Sequence, residues 1–233
     1  MEALPHFTIK LRMVLYYITD RRSLVGPEAQ QRLALLERVA AAARAGVDYI
    51  QLREKDLPPR ALEQLAREAV QAVRENSSTT KVLINGRTDV ALAVSADGVH
   101  LPSDEVAASE IRTLWMAASH RAPLIGVSAH SVADVRYAEA HGADFAVIAP
   151  VFEKVSGEVK TIGLDPLRAA CRGEAAWDNT EGAAESHFPV LALGGVTVSN
   201  VGDCVEAGAA GVAGIRLFQQ GDIGETVRRL RSL

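Results

Sequence analysis

Gln51, Arg53 and Lys55 occupy alternate positions of the run Tyr49-Ile50-Gln51-Leu52-Arg53-Glu54-Lys55. The run reads as a short apolar strand ending among polar groups. Side chains alternate along a strand, so the amide, the guanidinium and the ammonium fall on one face. Two cations and an amide converging at a strand tip make a clamp for a diphosphate or similar anion. A solvated strand end carries the same residue types, so the deciding question is what other strand tips supply. Asn85, with Arg87 after it, closes the run Lys81-Val82-Leu83-Ile84-Asn85. Ser128 and His130 close another. A histidine titrates near neutrality and can serve as a general acid or base, or can simply hydrogen-bond at a rim. His100, followed by Leu-Pro, reads as structural. Gly194 and Gly195 precede Thr197 and a helix expected from about Ser199. Such glycines let a phosphate approach backbone N–H groups, and the helix N-terminus adds a favourable dipole; a tight turn needs the same glycines. Lys154 and Lys160 lie on a loop that either closes over an anion or is solvated. Arg216 ends the last apolar run. No Ser-His-Asp, His-Glu-x-x-His or Cys-x-x-Cys pattern is present.

The elements that must position these residues announce themselves by repetition. Ala45-Gly46-Val47-Asp48-Tyr49-Ile50 has counterparts in Ala96-Asp97-Gly98-Val99-His100, Gly142-Ala143-Asp144-Phe145-Ala146-Val147 and Gly208-Ala209-Ala210-Gly211-Val212. Each follows a helical pattern and leads into an apolar run. The glycine suits a left-handed helix end, and the apolar run suits a strand buried on both faces. Alternating helix and strand implies a parallel sheet. Eight candidate strands follow, over 14–19, 49–53, 81–85, 98–101, 124–128, 145–149, 190–193 and 211–215. Helices are clearest over 31–45, 59–76 and 131–140, with Ser131 as an N-cap and Pro59 in a first turn. Asp165 and Pro166 are expected to cap and open a helix over 167–172. Eight strands with helices between them predict a single (β/α)8 barrel spanning 1–233. An open doubly wound sheet lacks its Gly-x-Gly-x-x-Gly turn here. Residues 172–188 are acidic and rich in Gly and Ala, and read as a flexible surface insertion at the end away from the strand tips.

Composition narrows the partners. At 233 residues with 48% hydrophobic content, the chain can bury a sizeable core. A formal net charge of −4 argues against nucleic acid or an anionic membrane. No run approaches the ~20 apolar residues of a membrane span, and 1–12 does not read as a secretion signal. Cys171 and Cys204 stand in no metal or redox spacing, which fits a reducing cytoplasm. Assembly into a homo-oligomer is compatible with this reading.

Taken in order, Gln51-Leu-Arg-Glu-Lys55, Ile84-Asn-Gly-Arg-Thr-Asp-Val-Ala91, Ala96-Asp-Gly-Val-His-Leu101, Gly126-Val-Ser-Ala-His-Ser131, Pro150-Val-Phe152 and Ala192-Leu-Gly-Gly-Val-Thr197 resemble the thiamine phosphate synthase superfamily, which also holds a thiazole tautomerase branch. The resemblance runs over about 15–217. It implies small-molecule substrates, a phosphorylated pyrimidine and a phosphorylated thiazole. Hydroxymethylpyrimidine diphosphate loses diphosphate, and a thiazole nitrogen attacks the cation-like methylene. It also implies roles: Gln51, Arg53 and Lys55 hold the pyrimidine and its diphosphate, Asn85 binds the diphosphate, Ser128 lies at the reacting centre, and Gly194, Gly195 and Thr197 cradle the thiazole phosphate. Lys154 is expected to bind substrate.

The departures from the synthase pattern carry information. Synthases place two Mg²⁺-binding carboxylates after the third and fourth strands. Here the first is Gly86 and the second aligns with Glu105. Asp104 or Asp89 would have to compensate. The usual Thr-x-Thr-Lys after the sixth strand reads Glu153-Lys154-Val155-Ser156-Gly157, and Arg216 replaces a typically small residue, where it supplies a cation or narrows the phosphate cup. Asn-Gly-Arg and Leu-Pro-Ser resemble the tautomerase branch, whose acid/base histidine matches His130. Three functions remain in view: the synthase, the tautomerase, and a non-catalytic barrel that binds a phosphorylated ligand.

Overall fold

A computed structural model describes residues 12–104, 106–152, 161–172 and 188–233. Eight parallel strands close into one barrel in sequence order. They are β1 (Val14–Ile18), β2 (Tyr49–Leu52), β3 (Lys81–Asn85), β4 (Gly98–Leu101), β5 (Leu124–Ala129), β6 (Phe145–Ile148), β7 (Val190–Ala192) and β8 (Gly211–Gly214). Every expected strand is present, with ends that differ by a residue or so. The helices around them are α1 (Glu28–Ala45), α2 (Pro59–Asn76), α3 (Thr88–Ala93), α4 (Ala108–Ser119), α5 (Val132–Ala140), α6 (Leu164–Cys171), α7 (Val201–Glu206), α8 (Arg216–Gln219) and α9 (Ile223–Arg231). The structure is thus a (β/α)8 barrel. Among the described residues no helix is long and apolar enough to cross a membrane. The expected insertion over 172–188 lies, between its end residues, outside the described residues.

The repeated phrase marks the entry to β2, β4, β6 and β8, every second strand. Gly46 ends α1 at φ 87°, a conformation that costs an L side chain energy. The aspartate of the phrase then reaches back to the preceding strand. Asp48 accepts the Leu15 N–H at 2.7 Å, Asp97 the Val82 N–H at 2.9 Å, and Asp144 the Ile125 N–H at 2.7 Å. Each carboxylate thereby satisfies a backbone donor at the N-terminal mouth of the barrel, and sets the height of one strand against its neighbour. The fourth copy has Ala210 at this place and keeps only the backbone bond that all four share, its N–H donating to Val190 O at 2.9 Å.

Tyr16, Ile18, Leu83, Phe145, Val147, Leu191 and Ala213 fill the barrel interior. Tyr16 meets Tyr49 and Phe145 edge-on, at 5.8 and 5.5 Å between ring centroids. A larger cluster, including Leu15, Leu35, Ile50, Leu65, Ile84 and Trp115, packs barrel against helices. Strands covered on both sides read as the continuous apolar runs seen in the sequence.

Helix ends test the finer expectations. α2 opens on Pro59, and Ser131 Oγ accepts the Asp134 N–H at 3.1 Å as the α5 cap. Asp165 does not cap its helix: Gly163 does, and Asp165 sits inside the first turn of α6, paired with Arg168 at 2.7 Å. A carboxylate is favourable anywhere in that turn, so the residue type did not fix its place. The helix expected from about Ser199 begins at Val201.

Candidate functional site

The C-terminal strand ends surround a cavity of about 1150 Å³. Gln51, Arg53, Lys55 and Asn85 line it from β2 and β3, and Ser128 and His130 from β5. Gly194, Gly195, Thr197 and Arg216 line it from β7 and β8. All the expected site residues among those described therefore face one space. Glu105 and Lys154 lie outside the described residues. Strand order puts Asn85 on β3 four strands from Gly194 beyond β7, on opposite sides of the mouth.

The cationic wall is held from behind. Glu54 alternates with Arg53 and Lys55, so it points away from the cavity, and its side chain is 1% exposed. It accepts from Thr19 Oγ1 at 2.6 Å, from the Arg21 N–H at 3.1 Å and from Arg21 Nη1 at 3.1 Å. Arg21 reaches on to Asp56 at 2.7 Å and Glu28 at 3.2 Å. The Arg53 N–H in turn donates to Thr19 Oγ1 at 3.0 Å. Burial pushes the Glu54 carboxyl up, and the Thr19 and Arg21 hydrogen bonds pull it back. Arg21 beside Asp56 holds that carboxyl below its ordinary range. On the cavity side, the side-chain nitrogens of Arg53, Lys55 and Asn85 have no partner among the described residues.

The floor holds a network that the sequence did not disclose. Gln51 Nε2 donates to the Tyr16 hydroxyl at 2.9 Å, the hydroxyl meets His100 Nδ1 at 3.2 Å, and His100 Nε2 meets Ser128 Oγ at 3.0 Å. His100 is structural in being buried, at 3% exposure, yet it lines the cavity and touches Ser128. Burial, with the Arg53 charge nearby, lowers its pKa to about 3. The unfolded chain therefore takes up a proton near pH 6.5 that the folded chain refuses. Stability from this group is intact above that pH and falls as pH drops toward 3, by about 1.4 kcal/mol per pH unit. Replacing His100 by Asn should flatten this limb, which urea unfolding at pH 7, 6, 5 and 4 would reveal.

His130 stands at the rim, exposed. Its Nδ1 lies 3.1 Å from Ala149 O. A carbonyl only accepts, so the neutral ring carries its proton on Nδ1 and leaves Nε2 as a base.

The opposite corner is made of backbone. Gly194 and Gly195 take φ 96° and 64°. A Cβ on Gly194 would sit 2.6 Å from Pro150 Cβ and 2.7 Å from Pro150 Cα. Gly194→Ala should cost about 1–2 kcal/mol in thermal unfolding from the left-handed backbone alone, before any clash. The Gly195 and Val196 N–H groups have no partner among the described residues. The Thr197 N–H donates to Asn200 Oδ1 at 2.7 Å, and its hydroxyl pairs with Ser199 at 2.9 Å. Asn200 Nδ2 donates to Gly195 O at 3.0 Å, so this turn stiffens the glycine pair. The short helix α8 starts directly after β8 with the exposed Arg216. Loops after the seventh and eighth strands with a short extra helix form the usual phosphate corner of such barrels.

The Mg²⁺ expectation meets a poor donor set. Mg²⁺ demands a near-octahedral oxygen shell. Asp104 is the one carboxylate lining the cavity among the described residues, and no cluster of three or more His, Cys, Asp or Glu side chains occurs among them. Asp89 has its oxygens on Arg87 at 2.8 and 2.5 Å. The described side chains do not fit a metal site built by the protein alone.

The closed (β/α)8 barrel thus carries cationic side chains on one side of its mouth and a glycine turn with a short helix on the other. The family model described as thiamine monophosphate synthase matches residues 15–218, and the chain belongs to that family. A thiamine-phosphate synthase of Methanoculleus marisnigri is 38% identical over 199 residues, covering 84% of this chain and 85% of that one. Another, of Roseiflexus castenholzii, is 36% identical over 204 residues, covering 87% and 79%. A solved thiamine phosphate pyrophosphorylase from Pyrococcus furiosus is similar with a TM-score of 0.72 at 29% identity, over 95% of each chain.

Proposed function

We propose that the protein is a thiamine phosphate synthase, joining hydroxymethylpyrimidine diphosphate to a thiazole phosphate, with release of diphosphate, in thiamine biosynthesis. The observation that carries this reading is one cavity with anion-binding groups on opposed walls. Its volume of about 1150 Å³ exceeds the roughly 300–1,000 Å³ of a pocket for one small ligand. In this reading the bond between the pyrimidine methylene and the diphosphate oxygen breaks, and its electron pair leaves with the diphosphate. The thiazole nitrogen lone pair then forms the new C–N bond. Arg53 and Lys55, with Asn85, meet the charge that grows on the departing oxygens, and their fixed placement favours the separated charges over the ground state. Gln51 and Ser128 hold the pyrimidine ring. The Gly195 and Val196 N–H groups and Arg216 hold the thiazole phosphate, with Gly194 and Thr197 shaping their turn. Lys154 is assigned to substrate, and Glu105 to the metal that the synthases of this family use.

Incubating the protein with both precursors across a Mg²⁺ series tests the reading. Formation of thiamine phosphate and diphosphate in equal amounts supports it. Tight diphosphate binding without product at any Mg²⁺ concentration rejects it.

The orientation of His130 supports a second reading, a thiazole tautomerase. His130 lines the cavity and keeps Nε2 as a base, so it can move a proton on a thiazole phosphate carboxylate and aromatise the ring. That activity should vanish in His130→Asn and persist in Arg53→Ala. If the protein instead binds the precursors without turning any of them over, it is a binding barrel.

A further inference from the structure

The cavity floor is a hydrogen-bonded series of four side chains, and a count of donors and acceptors gives it a direction that starts from the Gln51 amide. Gln51 Nε2 donates to the Tyr16 oxygen. A phenol has one proton, and with no other acceptor for it among the described residues it is directed to His100 Nδ1. A neutral imidazole that accepts at Nδ1 carries its proton on Nε2, and that N–H donates to Ser128 Oγ. The Ser128 hydroxyl proton is left for the cavity. Gln51, which lines the same space, has no partner for Oε1, the other end, among the described residues. The floor thus presents an acceptor on the β2 side and a donor on the β5 side.

Tyr16 is the middle of this series and is wholly buried, at 0% exposure. It does not line the cavity, so it cannot touch a bound ring. Its own ring is fixed among Tyr49, His100 and Phe145, at 5.8, 5.8 and 5.5 Å between centroids. Burial raises its phenol pKa, so the proton stays on the oxygen. His100 is likewise kept neutral by burial.

We infer that Tyr16 is a positioning residue which fixes the donor–acceptor polarity of the floor through His100. The floor then selects a heteroaromatic ring that offers an amino donor to Gln51 and a ring-nitrogen acceptor to Ser128. The ring-selection part rests on the synthase reading above; the polarity does not. A ring with a carbonyl in place of the amino group sets two acceptors against each other at Gln51 and is rejected, because a buried polar group is left unpaired.

The test has two arms. Nitrogen-15 NMR of the protein labelled at its histidine rings, with His100 assigned by its loss in His100→Asn, reads the tautomer directly. The expected wild-type result is a neutral Nε2–H ring from pH 7 to pH 5. Tyr16→Phe keeps the ring packing and removes the hydroxyl, and His100 should then shift toward the Nδ1–H form. In turnover, Tyr16→Phe should raise KM for the pyrimidine diphosphate about tenfold, leave KM for the thiazole phosphate unchanged, and cut the preference for the amino ring over its carbonyl analogue about tenfold. An Nδ1–H tautomer in the wild type overturns the inference without any variant. An unchanged tautomer and unchanged ring preference in folded Tyr16→Phe also overturn it. The expected tautomers together with no turnover of the two precursors reject the synthase reading and uphold the floor polarity.

Discussion

Glu54→Ala is expected to lower the unfolding free energy by about 3–5 kcal/mol, read from urea unfolding at pH 7. The carboxylate is buried and accepts from Thr19 Oγ1 and from both the backbone and the guanidinium of Arg21. Alanine leaves a buried hydroxyl and a buried N–H without acceptors, at about 1–3 kcal/mol each, and opens a void. Arg21 keeps Asp56, which stops the loss from growing further. Asp56→Ala is the control. Its side chain is 38% exposed, so its loss should cost no more than about 1 kcal/mol. Glu54→Gln should fall between the two, since its amide oxygen can accept from Thr19 while its NH₂ faces Arg21. If Glu54→Ala and Asp56→Ala cost the same, the buried contacts carry no special weight. Because Thr19 also accepts the Arg53 N–H, Glu54→Ala should weaken diphosphate binding in protein that is still folded.

The alternation that exposed the clamp also held the clue to its support. Period two puts Gln51, Arg53 and Lys55 on the cavity face, and by the same count turns Glu54 toward the helices. Read as one more charge in a polar cluster, Glu54 gave no hint of its partners, because Arg21 lies beyond the tip of β1, 33 residues away. The repeated phrase was legible as helix–strand joints, since each carries its turn and its apolar run locally. What its aspartates do was not, because their acceptor role spans two strands. His100 shows the limit most clearly. Its neighbours Tyr16 and Ser128 come from β1 and β5, 84 and 28 positions away, and meet it only once the barrel closes. Arg216 was visible as a cation after the last strand, but the four-residue helix it opens is too short for any periodicity to register. The hydrogen bond from the Thr197 N–H to Asn200 was not legible either, because residue type alone does not say which way a side chain turns.

Arg53→Ala should have the largest effect on activity. Its guanidinium lines the cavity with no partner among the described residues, and its charge reaches His100 on the floor. If the synthase reading holds, this places its charge near both the pyrimidine ring and the diphosphate, where the C–O bond breaks. Loss of charge-assisted hydrogen bonds to the ground-state diphosphate should weaken its binding by roughly 1.5–3 kcal/mol. The departing diphosphate gains charge in the transition state, so kcat should fall as well, by about 10²–10³-fold. Lys55→Ala removes an exposed cation that water screens, and its effect should be smaller. Arg53→Lys separates charge from geometry: an ammonium keeps the charge but not the planar fork, so it should recover binding more than kcat. Steady-state kinetics with the pyrimidine diphosphate varied at saturating thiazole phosphate distinguish these terms. A fall in kcat/KM that lies wholly in KM would make Arg53 a binding group for the diphosphate and move the stabilisation of the leaving group to Lys55 and Asn85.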